Sequence, residues 1–73
     1  MVLEQKFPRI TLEAARVNAH LSQKDAARML GINPATLANY ESGKTIPQWD
    51  MVHKMEKVYG FPADFIILSR DSL

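Results

Sequence analysis

A chain of 73 residues has room for one domain, and we expect residues 1–73 to form it, with 1–9 as an N-terminal arm. The absence of cysteine excludes disulfide bonds and thiolate metal sites, and a formal net charge of +1 is too small to indicate nucleic-acid binding by itself. The longest apolar run, 65–68, is far too short to span a bilayer. The charged N-terminus has no apolar signal core, so we expect a cytoplasmic protein with no membrane partner.

The first two predicted helices are each marked by a capping side chain. One covers 11–19, where Thr11 is suited to the N-cap and the small and apolar residues share one face. The other covers 23–30, where Ser22 is the expected N-cap. Gly31 ends this helix, because glycine tolerates a positive φ, and a three-residue turn then leads to the next element.

Three further helices are predicted at 34–42, 48–59 and 62–68. The first of them has Asn33 as N-cap and a proline at its first position, where the missing N–H is not needed. The second has an apolar stripe and ends at Gly60. The expected fold is therefore an all-α, compact bundle of five helices. β-branched residues also favour a short two-stranded pairing of 6–10 with 66–68.

Residues 23–42 meet the requirements of a helix-turn-helix. Such a motif needs a small residue where its helices cross, a residue tolerant of positive φ in the turn, an apolar side chain at the corner, and inward-facing apolar residues on the second helix. The outer face of that second helix must be small and polar to enter a DNA major groove. The residues predicted to build this scaffold are Ala27, Gly31, Ile32, Leu37 and Tyr40.

At these residues the chain resembles a known family, over the segment LSQKDAARMLGINPATLANYESGKTIP. The segment is similar to the Xre and phage-repressor regulators, which have the lambda-repressor-like fold, and the similarity extends over about residues 10–68. The resemblance implies a sequence-specific DNA-binding transcriptional regulator, a repressor of prophage or Cro-like type. It further implies that double-stranded operator DNA is bound by a homodimer, for which 65–68 and the N-terminal arm are the candidate surfaces.

The resemblance also implies roles for individual residues. Arg16 and Glu41 would form a buried ion pair between the first helix and the end of the third. The residues expected to contact DNA phosphates are Ser22, Gln23, Lys24, Lys44 and Thr45. The residues expected to face the bases are Asn33, Pro34, Ala35, Thr36, Ala38 and Asn39.

The predicted base-facing surface lacks the side chains that make the strongest contacts with bases, because it carries no arginine, lysine or glutamine. Asn39 is its best candidate for a bidentate contact with adenine, and Asn33 is the second. Residues suited to contact thymine methyl groups are Pro34, Ala35 and Ala38. We therefore expect modest direct base recognition, with more of the specificity drawn from DNA shape.

Simpler interpretations compete with some of these roles. Arg16 is alternatively a solvated charge or a phosphate ligand, although its position on an apolar face favours the ion pair. Lys24 and Arg28 are also interpretable as solvated charges. The two histidines have no partners at metal-ligand spacing and Ser22 has no paired base, so we expect no metal, no cofactor and no enzymatic activity. A chain this short also leaves no room for a small-molecule pocket.

A second hypothesis is a protein-interaction module, an antitoxin or adaptor that uses the same fold without DNA as its main partner. The partner surface would then lie on the fourth helix and the C-terminus, at Trp49, Met51 and Phe65. The small, non-acidic outer face of the third helix favours DNA instead.

Overall fold

The structure, a computed structural model, describes residues 10–67, except for the side chains of Phe65 and Ile67. Its four α-helices are α1 (Leu12–Asn18), α2 (Gln23–Leu30), α3 (Pro34–Ser42) and α4 (Trp49–Tyr59). A single 3-10 turn (Ala63–Phe65) and two short strands, β1 (Ile10–Thr11) and β2 (Ile66–Ile67), complete the described part. None of the described helices combines the length and the apolar character that a membrane crossing requires.

Side-chain caps fix where three of the helices begin. The Thr11 hydroxyl accepts a hydrogen bond from the backbone N–H of Ala14 at 3.0 Å, at the start of α1. Ser22 caps α2 in the same way, and the Asn33 carboxamide oxygen accepts from the N–H of Ala35 at 2.9 Å at the start of α3. These bonds satisfy N–H groups that have no partner inside the helix. The predicted bounds of α2 and α3 are confirmed.

The prediction of a fifth α-helix over 62–68 is wrong. After the 3-10 turn the chain is extended, and β2 pairs with β1 in parallel, with Ile10 opposite Ile66. Adjacent β-branched isoleucines fit an extended backbone better than a helix, and a helix of one or two turns is not stable alone. The predicted strand pairing is confirmed for the described residues, whereas 6–9 and Leu68 lie outside them.

The core lies between α1, α2 and α4 and extends to α3. Its buried hydrophobic residues are Leu12, Ala15, Ala26, Ala27, Leu30, Leu37, Val52, Met55, Tyr59, Phe61 and Ile66. The small side chains of Ala26 and Ala27 let α2 pack closely against both α3 and α4. Burial of Ile66 removes that side chain from the surface predicted for a dimer at 65–68, and the predicted N-terminal arm, 1–9, lies outside the described residues.

A lysine ties α4 to the turn of the helix-turn-helix. Lys54 Nζ donates a hydrogen bond to the carbonyl of Leu30, the last residue of α2, at 3.1 Å. A cation at this end is favourable, because the last carbonyls of a helix carry partial negative charge. Gly31 follows with a φ of +76°, which turns the chain toward α3. The hydrogen bond thus joins α4 to the end of α2, directly before the turn.

Candidate nucleic-acid interface

The outer side of α3 is small, uncharged and accessible. Leu37 is fully buried, and the helical rotation of 100° per residue puts Ala35 and Asn39 on the opposite side of α3. Thr36 and Ala38 flank that side, half-buried. The structure thus places the predicted base-facing residues on α3 or at its N-cap. Three of them are exposed, Asn33, Pro34 and Ala35, and three are half-buried, Thr36, Ala38 and Asn39.

The chain after α3 folds back on the helix end. The backbone N–H groups of Lys44 and Thr45 both donate to the carbonyl of Asn39, at 3.0 and 3.3 Å. Both side chains are exposed. Lys44 is thus held just beyond the C-terminal end of α3, and its role as a phosphate ligand stays a prediction.

The other predicted phosphate ligands lie at the start of α2. Ser22 and Lys24 are exposed, and Gln23 is half-buried. The Ser22 hydroxyl accepts from the N–H of Asp25 at 3.0 Å, so its own hydrogen stays available for donation. Arg28, on the same helix, forms an exposed ion pair with Asp25 at 3.2 Å.

A buried ion pair joins α1 to the end of α3. The Nε atom of Arg16 lies 2.6 Å from Oε2 of Glu41, and its Nη2 lies 3.3 Å from Oε1. The two side chains are only 10% and 5% exposed. Arg16 Nη1 also donates to the carbonyl of Leu21 at 2.8 Å. The hydrogen bond to the Glu41 carboxylate raises the pKa of Arg16 above its ordinary value, so the guanidinium stays protonated.

Gln23 is the third member of this network. Its Nε2 donates to Oε1 of Glu41 at 2.9 Å. The structure therefore brings Arg16, Gln23 and Glu41 together in one cluster at the junction of α1, α2 and α3. Sequence reasoning missed the contact between Gln23 and Glu41, because the two residues are 18 positions apart and meet only where α2 crosses α3.

Sequence reasoning also missed an open groove beside α3. It has a volume of about 490 Å³ and lies between α3, the following loop and the start of α4. Its lining residues are Thr36, Asn39, Tyr40, Thr45, Ile46, Gln48, Asp50 and Met51. The groove is open to solvent, so the expectation that this short chain has no room for a small-molecule pocket stays a prediction. Among the described side chains, no group of three His, Cys, Asp or Glu is arranged to hold a metal ion.

Tyr59 places a buried hydroxyl near the ion pair. The hydroxyl oxygen has no hydrogen-bond partner within residues 10–67. Burial, with a smaller contribution from the negative charge of Glu41, raises the pKa of Tyr59 to about 12 from its ordinary 10.0. A buried hydroxyl without a hydrogen-bond partner does not stabilise the folded state. It also loses its hydrogen bonds to water on folding, which lowers the unfolding free energy.

The substitution Tyr59→Phe is therefore expected to leave the unfolding free energy unchanged or to raise it by about 1 kcal/mol. The folded pKa is above the unfolded one, so the folded state holds the Tyr59 proton more tightly than the unfolded state does. Ionisation of Tyr59 therefore costs no stability below pH 10, and the unfolding free energy falls as the pH rises from there through about 12. Urea unfolding of both proteins between pH 8 and 12 checks this, since the wild type should lose more stability above pH 10 than Tyr59→Phe does. A destabilisation of more than about 1 kcal/mol at neutral pH would show that the hydroxyl is hydrogen-bonded.

Comparison with known proteins agrees with this geometry. The sequence model of a family described as helix-turn-helix matches residues 12–66. Multiprotein-bridging factor 1c of Arabidopsis thaliana is 35% identical over 52 residues, which are 71% of this chain and 35% of the relative. Endothelial differentiation-related factor 1 of Homo sapiens is 36% identical over 63 residues, 78% of this chain and 43% of the relative.

A third relative extends the same group to fungi. Multiprotein-bridging factor 1 of Candida glabrata is 34% identical over 50 residues, which are 68% of this chain and 33% of the relative. The chain spans less than half the length of these curated relatives. None of these three relatives is named as a phage repressor, so that type stays a prediction. The matched residues contain all four described helices, and the chain belongs to the helix-turn-helix family.

Proposed function

We propose that the protein is a sequence-specific DNA-binding transcriptional regulator that inserts α3 into the major groove. The observation that carries this proposal is the outer surface of α3, on which Ala35 and Asn39 lie opposite the buried Leu37. The one charged residue of this helix, Glu41, is only 5% exposed and is paired with Arg16. A major groove about 12 Å wide admits a helix whose outer side chains are this small.

Phosphate contacts at both ends of the motif would hold α3 in place. Gln23 lies at the start of α2, and Lys44 follows the end of α3. Contacts with the sugar–phosphate backbone fix the register of a recognition helix without reading sequence. Base recognition then falls mainly to Asn39, which is suited to adenine, and to methyl contacts with thymine.

The finer form of the proposal is a Cro-like repressor that acts as a homodimer by occupying an operator. The resemblance of residues 21–47 to the Xre and phage-repressor regulators supports this form of the proposal. The relatives described above are not named as repressors and do not add to that support. Two copies would bind half-sites about 34 Å apart, one helical turn of DNA. Such symmetry doubles the small number of contacts that one motif makes.

Selection of binding sites from random DNA with the purified protein tests this function. The expected result is enrichment of a palindrome whose half-sites are separated by about one helical turn. Single-base changes in the enriched site should each cost no more than about 3 kcal/mol, because direct base recognition is modest. Failure to enrich any sequence would overturn the proposal.

The affinity for the enriched duplex is expected to fall steeply with salt. With roughly four to six phosphate contacts per protomer, the logarithm of the binding constant should fall by about 4 to 5 per protomer for each tenfold rise in salt. Fluorescence anisotropy titrations at several KCl concentrations measure this slope. Lys44→Gln should reduce the slope by about 1, and Lys57→Gln, an exposed change on α4, should leave it unchanged. A flat salt response would exclude the electrostatic part of the mechanism.

A second candidate function, protein binding, is favoured by the surface next to the groove. Ile46 and Trp49 are 57% and 64% exposed, which is unusual for such large apolar side chains. The Trp49 ring is also 5.6 Å from the ring of His53. Two relatives are named as multiprotein-bridging factors. Ile46 lines the groove together with Asn39 and Thr45, two of the proposed DNA contacts, whereas Trp49 is not part of that lining. Trp49 is therefore the residue at which protein binding can be tested apart from DNA binding.

Crosslinking from position 49 separates the two functions. A photoreactive amino acid at Trp49 is expected to capture a defined partner in the native host, while the same group at the exposed Val17 does not. Trp49→Ala should lose this partner and keep its affinity for the enriched duplex within about twofold. Equal capture from both positions would exclude this second function.

A further inference from the structure

The Gln23 side chain is held by a carboxylate that is itself held in place. Glu41 receives two hydrogen bonds from the Arg16 guanidinium, which leaves its carboxylate little freedom to move. Oε1 of the same carboxylate accepts from Nε2 of Gln23 at 2.9 Å. These three side chains belong to three different helices, so the rigid packing of α1, α2 and α3 fixes the network.

The hydrogen bond to Glu41 determines the orientation of the Gln23 side-chain amide. An amide presents a carbonyl oxygen that only accepts hydrogen bonds and an NH₂ group that only donates them. If the amide were reversed, its oxygen would face the Glu41 carboxylate, and two acceptors would then meet without a proton between them. The observed orientation uses one of the two hydrogens on Nε2 and leaves the other for a further acceptor.

We propose that Glu41 is a positioning residue for DNA binding, because it makes Gln23 a hydrogen-bond donor toward a phosphate oxygen. This inference rests on the proposed function. A phosphate oxygen accepts hydrogen bonds and does not donate them, so a freely rotating amide would present it with the repelling carbonyl for part of the time. Arg16 neutralises Glu41, whose side chain is only 5% exposed, and so prevents this carboxylate from repelling the same phosphate.

A double-mutant cycle with the enriched duplex tests the positioning role. Gln23→Ala is expected to weaken binding by about tenfold, the effect of one hydrogen bond to a charged group. Glu41→Gln, which keeps the shape and removes the charge, should weaken binding by about fivefold when Gln23 is present. In the Gln23→Ala background the same change should alter affinity by less than about twofold, because the residue it positions is gone. All four proteins are compared at a temperature at which circular dichroism shows them folded.

The outcomes separate the inference from the function on which it depends. If the wild type binds the duplex and Glu41→Gln weakens binding equally with and without Gln23, only the positioning role is overturned. Equal losses of affinity in both backgrounds would mean that Glu41→Gln acts by general destabilisation. Absence of salt-dependent binding by the wild type would overturn the proposed function and the inference with it.

Nuclear magnetic resonance of the wild type gives a test that needs no variant to fold. The two side-chain amide hydrogens of Gln23 should differ, with one exchanging slowly because it is bonded to Glu41. Addition of the enriched duplex should shift mainly the other one. Two hydrogens that both exchange at the rate of a free amide would overturn the proposal.

Discussion

Replacement of Arg16 by alanine is expected to lower the unfolding free energy by about 3–5 kcal/mol. The substitution leaves the Glu41 carboxylate buried without its cation, and it also removes the bond from Arg16 to the Leu21 carbonyl. A charge that is 5% exposed and unpaired is among the most destabilising features a small domain can contain. Because small domains have little stability to lose, we expect the variant to be largely unfolded near 37 °C. Urea and thermal unfolding followed by circular dichroism measure the loss.

A second arginine of the chain provides the matched control. Arg28 also pairs with a carboxylate, that of Asp25 at 3.2 Å, but the two side chains are 75% and 51% exposed. Exposed ion pairs contribute little, so Arg28→Ala should change the unfolding free energy by no more than about 1 kcal/mol. If the two variants lose similar amounts, the ion pair between Arg16 and Glu41 does not hold α1 and α3 together.

The substitution Ala35→Glu is expected to weaken DNA binding by about 100-fold without loss of stability. Ala35 is exposed on the outer side of α3, so a carboxylate there would face the phosphates and base edges of the groove. Like charges brought together in an interface cost several kcal/mol. In the free protein the same carboxylate lies in the first turn of α3, where the helix dipole stabilises a negative charge. Anisotropy titration with the enriched duplex and urea unfolding measure the two effects separately.

Ala14→Glu is the control for this change. Ala14 is also exposed and also lies in the first turn of its helix, but α1 is not part of the helix-turn-helix. The variant has the same net charge as Ala35→Glu, and its affinity should stay within about threefold of the wild type. Equal losses from both variants would mean that overall charge, and not the surface of α3, determines binding.

The helix-turn-helix itself could be predicted because its signals are local. Ser22 and Asn33 cap the two helices through bonds to N–H groups two or three positions away, and Gly31 and Gly43 end them with φ values of +76° and +83°. Each of these features depends on residues a few positions apart. The sequence therefore specifies α2 and α3 with their correct bounds.

Local signals left two features undecided: whether residues 62–68 form a helix or pair as a strand, and which residue holds the Gln23 side chain. The apolar residues at 62–68 fit either a short helix or a strand. The strand forms because Ile66 pairs with Ile10, which lies more than fifty positions away in the sequence. The hydrogen bond from Gln23 to Glu41 likewise exists only because α2 crosses α3. Contacts of this kind depend on the tertiary fold, which no local pattern contains.

The most direct test of the central claim is to map the DNA contact on the folded protein. Backbone amide signals of the isotope-labelled wild type are followed while the enriched duplex is added. The proposed function predicts that the largest shifts fall at 22–24, at 33–39 and at 44–45. Shifts confined to 46–53, or no shift at all, would contradict it, because α3 would then remain outside the groove.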